Sequence, residues 1–295
     1  MTDPPRTRVV ITGASGLIGS ALTAHLDGRG FEVVPLRRPA DWDPARAMID
    51  PDALRGADAV VHLAGLGIGD VRWTDAQKEA ILRSRVDGTA LIARTLAGMD
   101  DGPRVLVSAS GIGYYGNRGD DVVTEADPAG DDFMAHVAMD WEAAAQPAID
   151  AGVRVAFARS GQVLSAAGGS LAKQLPVFRL GLGGRFGSGR QWVSWISIDD
   201  EVAAIEWLLG HDVSGPVNLV SPQPVRNAEF AAALGRALHR PTFIIPMFGP
   251  RLLYGRELAD SLLLTSQRVE PAVLLSSGFE FSTPGLDETL AHLLR

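Results

Sequence analysis

The sequence predicts an α/β protein, with a doubly wound parallel sheet covered by helices and a smaller C-terminal α+β lobe. Apolar, β-rich runs alternate with helix-period stretches as far as Arg159, where the regular alternation ends. A glycine-rich turn joins the first apolar run to the first amphipathic stretch. The 295 residues allow two domain-sized units. We therefore expect one domain over residues 1–165, to which residues 195–222 return, and a lobe over residues 166–295.

Each element is predicted from its local pattern. Apolar runs predict the strands of the sheet at residues 9–11, 31–36, 57–64, 104–109 and 153–159. Apolar residues at helical spacing predict crossover helices at residues 17–26, 75–97 and 131–151. The lobe is predicted to contain strands at 217–220 and 242–245 and helices at 200–209, 227–238 and 286–294. Residues 181–189 include five glycines and are predicted to form a loop.

Composition narrows the classes of function. The absence of cysteine excludes disulfides, thiolate catalysis and cysteine-ligated metals. A formal charge of −8 argues against a nucleic-acid binder. The first six residues lack the apolar run of a signal peptide, and no stretch approaches the roughly 18 apolar residues of a membrane span. We expect a cytoplasmic protein, monomeric or homodimeric, with a small-molecule substrate. The six dispersed histidines predict no metal site.

The first strand runs directly into Gly-x-x-Gly-x-x-Gly and a helix. In this context Gly13 permits the tight turn, Gly16 lets backbone approach a pyrophosphate, and Gly19 lets the helix lie close to the strand. The helix N-terminus offers free N–H groups to the anion. The alternative is an ordinary glycine turn. The pattern predicts a dinucleotide site, with contacts from Gly13, Ser15, Gly16, Leu17, Ile18 and Gly19.

The residues after the second strand indicate which dinucleotide binds. An NAD-specific fold usually has an acidic residue there for the ribose 2′-hydroxyl, but this chain has Arg37 and Arg38. Guanidinium groups form charge-assisted hydrogen bonds with a 2′-phosphate. The pair therefore predicts NADP(H), unless both arginines are only solvated charges at the end of a strand.

Three segments together resemble a known family. They are Thr-Gly-Ala-Ser-Gly-Leu-Ile-Gly at 12–19, Val-Val-His-Leu-Ala-Gly at 60–65, and Ser-Ala-Ser at 108–110 ahead of Tyr-Tyr-Gly at 114–116. They resemble the extended short-chain dehydrogenases/reductases, and most closely an atypical branch of nucleoside-diphosphate-sugar epimerase-like proteins with a C-terminal domain of unknown function. The resemblance implies a Rossmann fold, NADP(H) and a C-terminal substrate lobe. It also implies an adenosine side lined by Leu63, Ala64 and Gly65, and a nicotinamide side lined by Ser108, Ser110, Gly161 and Val163.

The catalytic pair of that family is missing. Short-chain reductases use Tyr-x-x-x-Lys, in which the lysine lowers the pKa of the tyrosine. Alignment on Glu142 places Met134 and Ala138 at the tyrosine and lysine positions. Neither side chain can transfer a proton, although the atypical branch shares this loss. We therefore consider other residues for catalysis. The candidates are Ser110, which would hold a carbonyl oxygen, Tyr114, and His136, which alternatively faces solvent. Tyr114 and its neighbour Tyr115 could face the nicotinamide, and the alternative for both is aromatic packing.

The glycine-rich segment contributes the candidate substrate residues. Arg190 and Arg185 could replace the arginine with which the similar extended epimerases bind the diphosphate of a sugar nucleotide, and Gln191 and Trp192 could form a wall for a substrate ring. Alternatively, Arg190 and Arg185 only neutralise Asp199 and Asp200, and the nearby Trp195 either extends the same aromatic wall or belongs to the core.

Three classes of function follow. The first is an NADP(H)-dependent oxidoreductase or epimerase acting on an unidentified small carbonyl or alcohol. The second is a non-catalytic NADP(H)-binding scaffold, redox sensor or assembly factor, suggested by the missing pair. The third is an interaction module with a vestigial nucleotide site, which the intact glycine motif disfavours.

Overall fold

The structure is a computed structural model that describes residues 6–295. The expectation that no signal peptide is present depends on residues 1–5, which lie outside the described residues. In chain order, strands β1 to β16 are Arg8–Thr12, Glu32–Leu36, Trp42–Asp43, Met48–Ile49, Ala59–His62, Val105–Gly111, Val122–Val123, Arg154–Ser160, Gln162–Leu164, Gly184–Phe186, Trp192–Val193, Trp195–Ser197, Gly215–Leu219, Val225–Arg226, Phe243–Ile245 and Arg268–Val269. Helices α1 to α11 are Leu17–Gly28, Asp75–Ala97, Phe133–Ala143, Gln146–Asp150, Gly169–Arg179, Ile198–Gly210, Asn227–Leu238, Phe248–Tyr254, Arg256–Leu263, Ala272–Ser276 and Leu286–Leu293.

Six strands form the central sheet, in the order β13-β8-β6-β5-β1-β2. All five neighbouring pairs are parallel. The chain passes from β1 outward to β2 and then returns to β5 on the other side of β1. The strand order therefore reverses beside β1, which is where ligands bind in doubly wound sheets. The predicted fold class is confirmed.

Apolar side chains cover both faces of the sheet. Val9 and Ile11 project to one face, where they pack in a cluster with Leu22 of α1 and Ile205 of α6. Val10 lies between them in sequence and therefore projects to the opposite face, into a second cluster. The two helices on the first face pack against each other, α1 beside β1 and α6 beside β8.

A third apolar cluster belongs to the C-terminal part of the chain. Its largest members are Phe178, Trp195 and Phe230. The first cluster, however, also includes Leu274 and Phe279, so the end of the chain returns to the central sheet. The division into a domain over 1–165 and a lobe over 166–295 stays a prediction.

Two predicted elements differ from the structure. Residues 181–189 are not a loop throughout, because β10 lies within them and pairs in parallel with β15. A Cβ added to Gly184 would lie 1.9 Å from the carbonyl oxygen of Phe243, so the glycine permits close strand pairing. The helix predicted over 131–151 is divided into α3 and α4. Pro147 is in the first turn of α4, where its missing N–H costs nothing.

Residues 6–295 contain neither a membrane-spanning helix nor a metal-binding cluster of side chains. No helix there is long and apolar enough to cross a membrane. No group of three or more histidine and carboxylate side chains in the same range is arranged to hold a metal ion.

Candidate cofactor and substrate site

The glycine turn forms a compact connection from β1 to α1. The N–H of Gly16 donates to the carbonyl oxygen of Gly13 at 2.9 Å. No side chain caps the N-terminus of α1, and its first turn has no acidic residue. The helix dipole and the free N–H groups of Leu17 and Ile18 therefore favour an anion at this end. Ser15 is exposed in the same turn.

The three glycines are required for different reasons. A Cβ on Gly13 would lie 2.8 Å from the backbone nitrogen of Ala64, and Gly13 has a φ of +71°. A Cβ on Gly19 would lie 2.2 Å from the carbonyl oxygen of Gly13. At Gly16 the nearest atom would be 3.3 Å away and φ is −76°. The fold alone requires Gly13 and Gly19, whereas the near absence of contacts at Gly16 fits backbone that faces a ligand.

A buried pair of side chains joins the glycine turn to the predicted adenosine side. Thr12 Oγ1 lies 2.7 Å from His62 Nδ1, and the N–H of Ala64 donates to the same hydroxyl oxygen at 3.3 Å. Burial lowers the pKa of His62 to about 4, so its ring is neutral at physiological pH. These contacts fix Leu63 and Ala64 beside Gly13, while Gly65 follows on the exposed side.

Arg37 and Arg38 directly follow β2, and both are exposed. Among the described residues, neither guanidinium forms a hydrogen bond or an ion pair, although that of Arg38 lies 5.9 Å from the ring centroid of Trp42. Asp41 accepts a hydrogen bond from the backbone N–H of Arg37 and not from its side chain. Both charges therefore stay available at the strand end next to the glycine turn.

The residues expected at the nicotinamide side differ in how deeply they are buried. Gly161 follows β8, and a Cβ there would lie 2.7 Å from the carbonyl oxygen of Ser194. Val163 is half-buried in β9 and pairs with Ile196. Ser108 is fully buried within β6, and its hydroxyl donates to the carbonyl oxygen of Ala109. The structure therefore does not bring the Ser108 side chain into the cleft.

A charged network surrounds Ser110 at the carboxyl end of β6. The Ser110 hydroxyl donates to Glu142 Oε1 at 2.7 Å. Arg159 donates to both oxygens of Glu142, at 2.8 and 2.7 Å. This bidentate pair is buried, so removing one partner would leave a charge without compensation. Because its proton is directed at Glu142, Ser110 is not free to donate to a substrate oxygen.

The two tyrosines after β6 have different environments. The Tyr115 hydroxyl accepts from Arg159 at 3.0 Å and donates to Asn218 at 2.7 Å. Burial raises the pKa of Tyr115 to about 12, although Arg159 opposes that shift. Tyr114 is half-buried, and the guanidinium carbon of Arg159 lies 3.5 Å from its ring centroid. Its hydroxyl has no hydrogen-bond partner within residues 6–295, which leaves Tyr114 as the accessible phenol of the cluster.

Helix α3 contains Met134 and Ala138, which the resemblance aligns with the usual tyrosine and lysine. Met134 lies against Gly113, and Ala138 is buried. His136, in contrast, is exposed and its Nδ1 lies 2.9 Å from the carbonyl oxygen of Asp132, so it is not brought to Ser110 and Tyr114. Of the three candidate catalytic residues, only Ser110 and Tyr114 belong to one cluster, through Glu142 and Arg159.

The candidate substrate residues are also separated. Gln191 is buried, and its amide donates to the carbonyl oxygens of Phe186 and Leu263, which is a structural role. Trp192 donates from its indole nitrogen to Asp120 at 3.2 Å, and two guanidinium groups pack over its ring, those of Arg226 at 4.0 Å and Arg268 at 4.7 Å. Its ring is therefore engaged by arginines.

The arginines of the glycine-rich segment lie near two acidic residues in sequence but do not pair with them. Arg190 is exposed. Neither it nor Arg185 neutralises the acidic pair, because Asp199 pairs with His292 and Asp200 accepts hydrogen bonds from Ser282. Trp195 belongs to the core and does not extend an aromatic wall, because its side chain is fully buried in the third cluster.

A cavity of about 300 Å³ lies between the start of α3, α9 and the segment before α2. Asn117 and Asp132 line one part of it, together with Phe133, which precedes Met134 on α3. Trp73 packs edge-on against Phe133 with ring centroids 4.9 Å apart. Residues of α9 close the other side, including Asp260. The cavity therefore combines two aromatic rings with polar groups, as small-molecule sites usually do.

The sequence profile of the NAD dependent epimerase/dehydratase family matches residues 9–220. The chain belongs to this family. A second profile, a domain of unknown function named DUF1731, matches residues 245–293. Together they confirm the resemblance noted from the sequence, including its C-terminal part.

Relatives of this epimerase-family protein span nearly its whole length. It is 45% identical to an epimerase family protein of Mycobacterium tuberculosis over 96% of each chain. It is 36% identical to the human epimerase family protein SDR39U1, over 97% of this chain and 99% of the human one. These relatives establish the family but identify no substrate.

Solved structures agree with the fold. A crystal structure of human SDR39U1 with NADPH has a TM-score of 0.89 and 35% identity, and it covers 97% of this chain and 98% of the other. A nucleoside-diphosphate sugar epimerase from Corynebacterium glutamicum has a TM-score of 0.81 and 39% identity, with coverage of 98% and 58%. The expected nicotinamide dinucleotide class is consistent with both the family and the first of these structures.

Sequence reasoning missed several residues around the site of this epimerase-family protein. Trp73 and Asn117 carry no motif, and only tertiary packing brings them to the cavity. The ion pair of Glu142 and Arg159 joins residues from different elements. Of the two, only Glu142 gave a signal, because the similar family has a glutamate at the same position. Glu201 gave no signal, because an acidic residue in the first turn of a helix is common.

Proposed function

We propose that the protein binds NADP(H) along the carboxyl edge of its sheet and catalyses hydride transfer to or from a small carbonyl or alcohol substrate, as an oxidoreductase or an epimerase. The observation that carries the proposal is the glycine turn, in which Gly16 is exposed and its only close neighbour is the carbonyl oxygen of Gly13, 3.3 Å from where a Cβ would lie. The uncapped N-terminus of α1 supports an anionic ligand there. The crystal structure of the human relative with NADPH supports the identity of that ligand.

The residues present fit such a cofactor at each of its parts. The turn and the start of α1 would hold the pyrophosphate through Gly13, Ser15, Gly16, Leu17, Ile18 and Gly19. Arg37 and Arg38 would bind the 2′-phosphate, and Leu63 to Gly65 would line the adenosine. Gly161 and Val163 would lie along the nicotinamide half. When bound, the cofactor supplies the hydride chemistry, and the protein supplies orientation and proton transfer.

The substrate would occupy the cavity between α3 and α9, which Tyr114 does not line but whose lining residue Asn117 follows Tyr114 by three positions. Tyr114 is the group of this cluster that can exchange a proton with a substrate oxygen, because Ser110 donates to Glu142 and Tyr115 is buried. Stacking on the Arg159 guanidinium fixes the plane of its ring. Trp73 and Phe133 would contact the apolar part of the substrate. The exposed Arg190 remains a candidate for a more distant polar contact.

The cofactor preference tests the first half of the proposal. Calorimetry should show NADPH binding at least about tenfold more tightly than NADH, which is roughly 1.4 kcal/mol. Substituting Arg37→Ala together with Arg38→Ala should remove most of this preference, since only NADPH has the 2′-phosphate. Arg46→Ala is the matched control, because Arg46 is an exposed arginine of the same region that pairs with Asp43. Equal affinities in the parent would contradict the proposal.

A non-catalytic NADP(H)-binding protein is the second candidate. Met134 and Ala138, at the positions of the usual tyrosine and lysine, specifically favour it. Single-turnover oxidation of NADPH with a panel of aldehydes and ketones distinguishes the two. An enzyme should oxidise NADPH with at least one carbonyl, and Tyr114→Phe should slow that step by roughly 10²–10⁴-fold. Tight binding without oxidation by any carbonyl supports the non-catalytic candidate, and failure to bind either cofactor supports an interaction module.

A further inference from the structure

Glu201 is a buried carboxyl group that the proposed function does not use. It lies in the first turn of α6, and its side chain is fully buried. Its Oε1 accepts a hydrogen bond of 2.5 Å from the hydroxyl of Ser160. Its Oε2 is also buried and has no hydrogen-bond partner among residues 6–295. A carboxyl group in this setting is costly when ionised unless a positive charge compensates it.

No cation of the described chain compensates Glu201. Helix α6 packs against α1, β6, β8, β9 and β12, and it also contacts Ser277, Phe279 and Ser282 of the C-terminal segment. Strands β6, β9 and β12 contain no ionisable side chain, and Glu280 of the C-terminal segment is exposed. The charged and titratable groups of the other elements have partners elsewhere or lie in solvent. On α1, His25 pairs with Glu206 of α6, and Asp27 is exposed. On β8, Arg154 donates to carbonyl oxygens at the end of α6, and Arg159 pairs with Glu142. On α6 itself, Asp199 pairs with His292, and Asp200 accepts hydrogen bonds from Ser282.

The position of Ser160 relates Glu201 to the cofactor. Ser160 is the last residue of β8, level with Gly111 at the end of β6. The glycine turn follows β1, and Arg37 and Arg38 follow β2 at the edge of the sheet. A dinucleotide held at β1 with its 2′-phosphate at β2 therefore extends its nicotinamide half in the opposite direction, towards β6 and β8. The half-buried Ser160 lies at this end of the sheet, and its hydroxyl donates to the fully buried Glu201.

The protonation state of Glu201 changes within a physiological range. Burial raises its pKa to about 8, and the hydrogen bond from Ser160 opposes this shift only in part. Below that pH the neutral carboxyl group carries no charge. Above it the carboxylate is ionised without a cation of its own.

We propose that Glu201 makes the protein discriminate between the two redox states of its cofactor, because its ionised carboxylate stabilises the positively charged nicotinamide ring of NADP⁺ and gives no such stabilisation to the neutral ring of NADPH. This inference rests on the proposed binding of NADP(H). Glu201 acts through charge and through its hold on Ser160, so it is a specificity-determining residue and not a catalytic one. Linkage requires the converse effect as well, so bound NADP⁺ lowers the pKa of Glu201 relative to bound NADPH.

The test compares the affinities of NADP⁺ and NADPH by calorimetry at about pH 6.5 and about pH 9.5. In the parent, the ratio of the NADPH dissociation constant to the NADP⁺ dissociation constant should rise about tenfold between these pH values, since one pKa unit corresponds to a factor of ten. The 2′-phosphate is common to both forms, so its own titration cancels in the ratio. In Glu201→Gln the ratio should not change with pH. Glu206→Gln is the control, because Glu206 is a carboxylate of the same helix that already has cationic partners, and it should behave as the parent does.

The outcomes are distinguishable. If the parent binds neither cofactor, the proposed function fails. If it binds both and the ratio is independent of pH, or if Glu201→Gln shows the same dependence as the parent, the inference is overturned. Should Glu201→Gln fail to fold, the carboxyl carbon of Glu201 can be titrated by ¹³C NMR in the parent protein. Its pKa should then be lower with NADP⁺ bound than with NADPH bound, and equal values would overturn the inference.

Discussion

Two buried ionisable side chains, His62 and Glu201, each have a polar atom without a hydrogen-bond partner in the described part of the chain. Burial shifts both pKa values towards the neutral form, to about 4 for His62 and about 8 for Glu201. Arg159 and Glu142 show the other solution, in which buried charges remain ionised because they pair. The buried ionisable groups are therefore of two kinds, those that pair with an opposite charge and those whose pKa burial shifts towards the neutral form.

His62 predicts a specific loss of stability in acid. Its pKa is lowered in the folded state, so below about pH 6.5 the unfolded chain binds a proton that the folded chain does not. The free energy of unfolding should therefore fall as the pH decreases from about 6.5 to about 4, with a contribution of at most roughly 1.4 kcal/mol per pH unit. Urea unfolding of His62→Asn should lack this contribution. The exposed His136→Asn should retain it, and identical slopes in all three proteins would contradict the assignment.

For single residues, the sequence predicted the roles of those that belong to one continuous motif. Gly13, Gly16 and Gly19 could be assigned because each glycine in the turn has a separate steric reason. The environment of His136 or Gln191 could not be assigned, because a helix position or a loop position does not fix which neighbours a side chain meets. Trp192 was expected to face a substrate ring, yet arginines from β14 and β16 pack over it.

Among the elements, the pair β10 and β15 shows how glycine can support a strand. Gly184→Ala should destabilise the protein by about 1–3 kcal/mol, because its Cβ would overlap the backbone of Phe243 and separate the two strands. Gly210→Ala, at the end of α6 with open space around it, should be neutral or stabilise by roughly 0.5–1 kcal/mol. Urea unfolding of both variants measures the difference. A tolerated alanine at Gly184 would show that the pairing is looser than described.

The long strands of the sheet could be predicted, whereas most short strands could not, β15 being an exception. Strands β1, β6 and β8 each contain a run of at least three apolar residues, and their burial on both faces explains that pattern. Strands of two or three residues, such as β10, are too short to show a period, and their partners come from distant parts of the chain. The glycines of residues 181–189 therefore suggested a loop where tertiary contacts form a strand.

For the molecule as a whole, cofactor binding should appear as added stability. A ligand present at about 100 times its dissociation constant stabilises the folded state by roughly 2.7 kcal/mol, so NADPH should raise the melting temperature of the parent. Gly16→Val should fold, since its Cβ meets only one atom at 3.3 Å, but should lose the shift because the side chain fills the place of the pyrophosphate. Gly28→Ala, at the other end of α1, should keep it. An undiminished shift in Gly16→Val would place the cofactor elsewhere.

The fold class and the dinucleotide half of the site were predictable because both depend on the order of strands and on one continuous motif. The substrate half was not, because its cavity combines α3 with α9 and with the segment before α2, three regions far apart in the sequence. No local sequence pattern indicates that these three regions lie close together in the fold.

The return of the chain end to the central sheet also affects how the protein is made. Leu274 and Phe279 complete the same apolar cluster that contains Val9 and Ile11, and Ser282 holds the start of α6 through Asp200. During translation at about 5–20 residues per second, the strands around β1 leave the ribosome many seconds before these partners exist. One face of the nascent sheet therefore remains incompletely covered over that interval, and contacts of such long sequence separation form slowly. Newly made chains should depend on chaperones until synthesis has passed this last segment.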